Sequence, residues 1–347
     1  GSLMLKKRLK ILVVRFSSIG DMVLTTPIVR ALKEQRQAEV HYLCKTRFRE
    51  ILQANPYLDR IYGIEKNIGE VLPELRLEQY DYLVDLHKNW RSLHLRLALR
   101  CPYLSFDKIN VAKWLMVRLK WNRLPPVHLV DRYWTALQPL GIQNDGRGLD
   151  YFIASQDRIG NEELVKWFAQ IDRAPSPYVA FAIGAAHATK QLPADLIAKI
   201  CSQMTAPIVL LGGKREEALG AAIRAQWKDR VINTCGQLTL GQSAAFIEKA
   251  TKVISPDTGM MHIAAALGKE IIVVWGNTIP DFGMYPYLPV QGPQYHSFEI
   301  KNLSCRPCSK IGFTSCPKGH FHCMNRQDAR AIAHRAKISV DISDELK

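Results

Sequence analysis

Short apolar runs alternate with stretches of helical period along almost the whole chain. Such runs read as strands at 11–16 (ILVVRF), 39–44 (EVHYLC), 60–64 (RIYGI) and 82–87 (YLVDLH), separated by helical segments such as 21–36. Further helices are expected around 109–121 and 128–139, the second ending near Gly141. A stretch crowded with turn formers, QNDGRGLDY at 143–151, then interrupts the pattern. After the turn RAPSPY a second series begins: YVAFAIG (178–184), PIVLLGG (207–213), VINTCG (231–236), KVISPD (252–257) and EIIVVWG (270–276). Apolar strands alternating with helices predict an α/β protein built on parallel sheets. The break predicts a first domain over 4–150, a linker over 151–177 and a second domain over 178–324. A last helical stretch, about 325–337 within the segment 325–347, is placed to return across the linker onto the first domain. Loops and helix starts gather at the carboxyl ends of parallel strands, so two such halves enclose a ligand-binding cleft.

No run approaches the ~20 apolar residues of a membrane span, and Lys6-Lys7-Arg8 is followed by an alternating, not signal-like, segment. The protein is expected to be cytoplasmic, and Gly1-Ser2-Leu3 before Met4 reads as a cloning remnant. Charge changes the picture more than composition does. A formal net charge of +15 attracts polyanions, so nucleic acid, anionic lipid and phosphorylated sugars all qualify as partners. The basic residues concentrate in the first half, in Lys45, Arg47, Arg49, Lys88, Arg91, Arg96, Arg100, Lys113, Arg118, Lys120 and Arg123. An acidic partner is expected to meet that half; the alternative is a solvated basic surface with no partner.

Three stretches carry candidate chemistry. In RFSSIGDMVLTTPIVRAL (15–32) a polar loop follows the first strand, with Ser18, Gly20 to allow a turn, and Asp21. It lacks the spacing of a dinucleotide site and the lysine of a P-loop, and Asp21 by itself also reads as an ordinary acid at a helix start. In SPDTGMMHIAAALG (255–268) Asp257 or Thr258 can cap a helix and Gly259 permits close approach to its backbone, while Gly268 ends the helix. The amides of residues 259–261 and the positive dipole end then form an anion site suited to a diphosphate, with His262 as a further donor; a capped core helix is the competing reading. In AIGAAHATKQLPADL (182–196) Thr189 and Lys190 supply donors and charge for phosphate oxygens.

Together with LLGGKREEA, and above all with the Asp-Thr-Gly-x-x-His-x-x-Ala-Ala pattern in ISPDTGMMHIAAALGKEIIVVWG, these stretches resemble glycosyltransferase family 9, the lipopolysaccharide heptosyltransferases, over nearly the whole chain. The resemblance implies a GT-B fold: two Rossmann-like domains facing a central cleft, acceptor on the first and nucleotide sugar, typically ADP-heptose, on the second. It implies Asp21 as the catalytic base, Thr189 and Lys190 at the donor phosphates, and Asp257, Thr258, Gly259 and His262 in the donor loop and helix start. More loosely, it places Glu216 near the ribose and Leu238 beside the base pocket. The chain contains no Asp-x-Asp, so metal-bridged diphosphate binding is not expected; Lys190 and the helix dipole are expected to stabilise the leaving diphosphate without a metal, and attack from the opposite face to invert the anomeric centre. No cofactor is expected beyond the ADP-sugar substrate. Ser18, Gly20, Lys88, Asn89 and Arg91 are expected at the acceptor, an anionic glycolipid met by peripheral contact with the cytoplasmic face of the inner membrane; nucleic acid is not an expected partner. Another nucleotide sugar in surface polysaccharide assembly, or nucleotide-sugar binding without turnover, are the competing functions.

The segment CRPCSKIGFTSCPKGHFHCM holds Cys305, Cys308, Cys316 and Cys323, with His320 and His322. Four thiolates can close a tetrahedral zinc site, but the second spacing is loose for one, and reduced thiols or an adventitious disulfide fit the same residues.

Overall fold

The computed structural model describes residues 7–106, 116–119, 128–184, 191–276, 284–299 and 327–338. In the first half β1 (Lys10–Val14), α1 (Ile19–Val23), α2 (Thr26–Arg36), β2 (Glu39–Lys45), β3 (Arg60–Ile64), α3 (Leu72–Glu78), β4 (Tyr82–Asp85), α4 (Trp90–Leu99), β5 (Tyr103–Ser105) and α5 (Leu129–Ala136) follow in order. The second half runs α6 (Asn161–Phe168), β6 (Val179–Ala182), α7 (Ala194–Ser202), β7 (Ile208–Leu211), α8 (Glu217–Gln226), β8 (Val231–Asn233), α9 (Leu240–Lys249), β9 (Lys252–Pro256), α10 (Gly259–Ala266), β10 (Glu270–Val274), β11 (Tyr295–Phe298) and α11 (Ala329–Arg335). The two sheets are ordered β3-β2-β1-β4-β5 and β11-β10-β9-β6-β7-β8, and the paired strands are parallel.

Strand alternation divides the core. Leu12 and Val14 of β1 join Leu43, Leu75, Leu83 and Leu95 under α3 and α4, while Ile11 and Val13 face α2 and α5 with Val40, Tyr42 and Val84. This second cluster continues without a break into the other half, through Ala180, Val209, Val253 and Met261. The two halves therefore share apolar contact on one side of their sheets.

Four features depart from the pattern-based reading. The helix expected over 21–36 is two helices: the Thr25 and Thr26 hydroxyls bond the Met22 and Val23 carbonyls (both 2.6 Å), and Pro27, with no N–H, fits only the first turn of the second. The strands β5 and β11, each pairing with a single neighbour in the described sheets, had no apolar run to mark them; both are only partly buried. The segment 151–177 contains α6, whose Trp167 meets Phe246 edge-on at 6.0 Å. Finally, the last helix does not return to the first domain. Ile332, Ala333 and Ala336 of α11 and its end are buried with Ile197 and Ile200 of α7, and Lys252 reaches from β9 to the Arg335 and Lys337 carbonyls at 2.9 Å. Its apolar face matches α7, and a lysine at a helix carboxyl end satisfies the last carbonyls. The helix expected over 109–121 lies largely outside the described residues.

The turn-rich stretch is clamped. Arg30, fully buried on α2, donates to both Asp145 oxygens (2.8 and 2.7 Å), to Asp150 (2.9 Å) and to the Gly148 carbonyl (2.9 Å). A guanidinium fork satisfied this fully fixes the start of the connection between domains on the first sheet's helices.

Candidate active site

In each sheet the chain winds outward in both directions from its first strand, so the order reverses between β1 and β4 in one and between β6 and β9 in the other. Such switch points part the following loops and open a crevice at the carboxyl ends of the strands. The sequence-predicted residues occupy these loops: 17–21 after β1, 87–91 after β4, and 257–262 after β9. Thr189 and Lys190, after β6, lie outside the described residues, as do Cys305, Cys308, Cys316 and Cys323. Among the described residues no cluster of His, Cys, Asp and Glu has the make-up of a metal site.

Asp21 stands in the first turn of α1. Its Oδ2 accepts from the Ser18 hydroxyl (3.0 Å) and the Ser18 amide (3.3 Å) and lies 3.4 Å from the Arg15 guanidinium. Arg15 is itself held by the Ser17 carbonyl (2.8 Å) and, from β4, by the Leu86 carbonyl (3.1 Å). Burial pushes the Asp21 carboxyl upward, but Arg15, the Ser18 donors and His262 outweigh it and hold it below the ordinary carboxylate range. The carboxylate is thus ionised and fixed. Sequence reasoning passed over Arg15, although a charged residue ending a buried apolar strand is a visible signal.

The α10 stretch folds as a helix with Thr258 at its N-cap and Gly268, at φ 69°, past its end. Lys269 and Gly268 donate to the Ala264 and Ala265 carbonyls (both 3.1 Å), a Schellman ending. The Thr258 side chain makes no capping bond; instead its carbonyl takes the Met261 amide at 3.1 Å. That bond subtracts Met261 from the three amides expected to face an anion and leaves those of Gly259 and Met260 at the helix's open end.

Gly20 and Gly259 both lie where two helices meet, and Gly20 does not make the turn expected of it. Gly20 does not bend the chain; it lies within α1 and is not among the residues of positive φ. A Cβ there would stand 2.7 Å from His262 Cδ2 and 3.3 Å from Gly259 Cα. A Cβ on Gly259 would stand 2.8 Å from Ile19 Cγ2 and 3.3 Å from the Gly20 nitrogen. Helix α1 of the first domain and the start of α10 of the second therefore meet glycine to glycine. His262, only 3% exposed, is enclosed at this junction beside the Asp21 carboxylate.

Glu216 is buried at the carboxyl ends of β6 and β7, where its Oε2 accepts from the Gly213 amide at 2.8 Å. Gly184 and Gly212 make room for it: a Cβ on either would fall 2.9 Å from its side chain. Leu238, half-buried, follows the Gly236 turn after β8 and packs on the main core.

Three of the five residues expected at the acceptor, Lys88, Asn89 and Arg91, have local work. Asn89 caps α4, its Oδ1 accepting from the Ser92 amide while the Ser92 hydroxyl accepts from the Asn89 amide (both 2.9 Å). Lys88 donates to the Phe106 carbonyl (2.8 Å), and Arg91 donates to the Lys66 carbonyl (3.2 Å) and stacks on Trp90. Buried Asp85 organises this loop by accepting from the His87 and Lys88 amides (3.0 and 2.8 Å). Asn89→Ala is expected to lower unfolding stability by about 1 kcal/mol, the usual worth of such a cap, without changing the acceptor KM; urea denaturation beside steady-state kinetics checks both.

Two parallel-sheet domains with their switch points facing, an ionised aspartate from one and a helix start from the other, define a GT-B glycosyltransferase architecture. Residues 68–312 match the family described as glycosyltransferase family 9 (heptosyltransferase), and the chain belongs to that family. It is 24% identical over 281 residues to lipopolysaccharide heptosyltransferase 3 of Escherichia coli (strain K12), covering 75% of this chain and 80% of that one. It is 25% identical over 299 residues to lipooligosaccharide heptosyltransferase 2 of Haemophilus ducreyi, covering 79% and 85%. Among solved structures, E. coli ADP-heptose lps heptosyltransferase II superposes with a TM-score of 0.64 at 20% identity, over 94% of this chain and 99% of that one.

Proposed function

We propose that this glycosyltransferase moves a heptose from ADP-heptose to an inner-core lipopolysaccharide acceptor with inversion at the anomeric carbon. The observation that carries the reading is the meeting of α1 and α10, which brings the helix of Asp21 against the start of the helix that carries His262. The acceptor binds the first domain, with Lys88 and Arg91 as cations for its acidic groups; the donor binds the second. The Ser18 donors and Arg15 engage Oδ2, and Oδ1 takes the acceptor proton. The hydroxyl then attacks the anomeric carbon from the face opposite the diphosphate. As the bond to the diphosphate breaks, its growing charge meets the Gly259 and Met260 amides, His262 and Lys190, which supply this stabilisation without a metal. Glu216 accepts the ribose hydroxyls and Leu238 lines the base pocket. Peripheral contact with an anionic membrane brings the enzyme to its lipid acceptor.

Calorimetric titration with ADP, GDP, UDP and TDP in EDTA tests the donor half. ADP is expected to bind selectively, and Glu216→Gln, Lys190→Ala and His262→Ala each to weaken it by about tenfold or more, the worth of one hydrogen bond involving a charged group. Tight binding of another nucleotide would redirect the reading to another sugar. No binding by any would sink the donor site.

A further inference from the structure

Helix α4 is apolar on both sides. Ser92 and Leu95 are buried against the sheet, yet Trp90, Leu93 and Leu97 remain 66%, 50% and 68% exposed. Their spacing of three and four residues sets them on one stripe of the helix, where a solvent-facing helix normally carries charge. Tyr103 on the neighbouring β5 is 51% exposed, with the Arg96 guanidinium 3.4 Å over its ring, and Arg91 stacks on Trp90 at 4.7 Å. The apolar stripe is thus flanked by arginines lying on aromatic faces.

Charge identifies the partner. Between Lys88 and Arg100, the loop and helix that carry the stripe, the sequence has four Lys and Arg and no Asp or Glu. A second copy docking through the same face would set these arginines against their own copies, since a two-fold contact brings like surface to like. A nucleic acid would use the charge but leave the leucines without a partner. An anionic bilayer takes both: aliphatic side chains enter the acyl boundary, tryptophan sits at headgroup level and arginines meet lipid phosphates.

We infer that the outward face of α4, Trp90, Leu93 and Leu97 with their flanking arginines, is the surface by which this protein docks on an anionic lipid bilayer. Because α4 begins directly after the Lys88 loop at the carboxyl end of β4, docking through it sets the mouth of the crevice at the membrane surface. That consequence rests on the proposed lipid acceptor; the docking itself does not.

The test is flotation with vesicles of phosphatidylcholine alone or with about 30% phosphatidylglycerol, containing no lipopolysaccharide precursor. Full-length protein is compared with the combined Trp90→Ser, Leu93→Ser, Leu97→Ser variant, with melting curves to verify folding. Wild type is expected to prefer anionic over neutral vesicles by about tenfold or more, and the variant to lose that binding by a similar factor at unchanged Tm. Failure of wild type to bind anionic vesicles, or binding by the variant equal to wild type, would overturn the proposal. So would light scattering showing a wild-type dimer that the variant dissociates, because the stripe would then be a self-interface. Transfer to a deacylated, soluble acceptor is read separately: its absence with vesicle binding intact would count against the proposed reaction alone.

Discussion

Asp21→Asn is expected to leave a folded enzyme whose kcat is about 10²–10⁴-fold lower, with ADP affinity little changed. The asparagine amide oxygen can keep both Ser18 donors, so the first turn of α1 keeps its partners and the loss reports proton transfer. The magnitude belongs toward the low end of that range, because a carboxyl held below its ordinary pKa is a weak base in the resting enzyme. The hydroxyl proton becomes easy to remove only as the new glycosidic bond forms. A pH profile gives the sharper test. A base must be deprotonated to act, so kcat/KM should be flat through neutrality and fall only as pH drops through the depressed Asp21 pKa. Arg15→Ala removes the largest of the influences that lower it, so the acid limb should move to higher pH. The same sign holds for stability: the contribution of a depressed carboxylate is present above its unfolded pKa and lost as pH falls through the folded one. Asp21→Asn activity within tenfold of wild type, or an acid limb indifferent to Arg15, would remove Asp21 from the role of base.

The parts of this site legible in the sequence are those that follow deeply buried strands. ILVVRF, YLVDLH and KVISPD are the central strands β1, β4 and β9 flanking the switch points, and their apolar runs announced the loops that carry Asp21, Lys88 and His262. YLS of β5 and YHSF of β11 are only partly buried and left no comparable signature, whereas the equally peripheral β8 is fully buried and was legible in VINTCG. Interactions between distant segments were hidden for a different reason. Arg15 acquires meaning only when the chain leaving β4 brings the Leu86 carbonyl beside it, 71 residues away in sequence. Gly20 in SSIGD has the look of a turn glycine, and nothing within its own segment reveals that a helix from the other domain rests on it.

That junction makes Gly20→Ala the other decisive substitution. By propensity alone alanine stabilises a helix by about 1 kcal/mol relative to glycine, and Gly20 lies within α1 without a positive φ. The new methyl would nevertheless stand 2.7 Å from a ring carbon of buried His262 and 3.3 Å from the Gly259 backbone, neither of which is the free end of a flexible chain. Relief requires α1 and α10 to separate, displacing the proposed base from the proposed donor helix, and a misplacement of about 1 Å between reacting groups costs about 10²-fold. The expected outcome is therefore a dissociation of two readouts: kcat/KM down by about 10²-fold or more, Tm unchanged or slightly higher. Gly259→Ala should act in the same direction, because its methyl meets the Ile19 Cβ at 2.9 Å. Gly268→Ala supplies the control. Nothing lies within 4 Å of a methyl there, but φ is 69°, so about 1 kcal/mol of stability should be lost with kcat/KM intact. If Gly20→Ala instead lowers Tm and leaves turnover alone, the contact between α1 and α10 is packing within the fold, and the catalytic arrangement must be assembled elsewhere in the crevice.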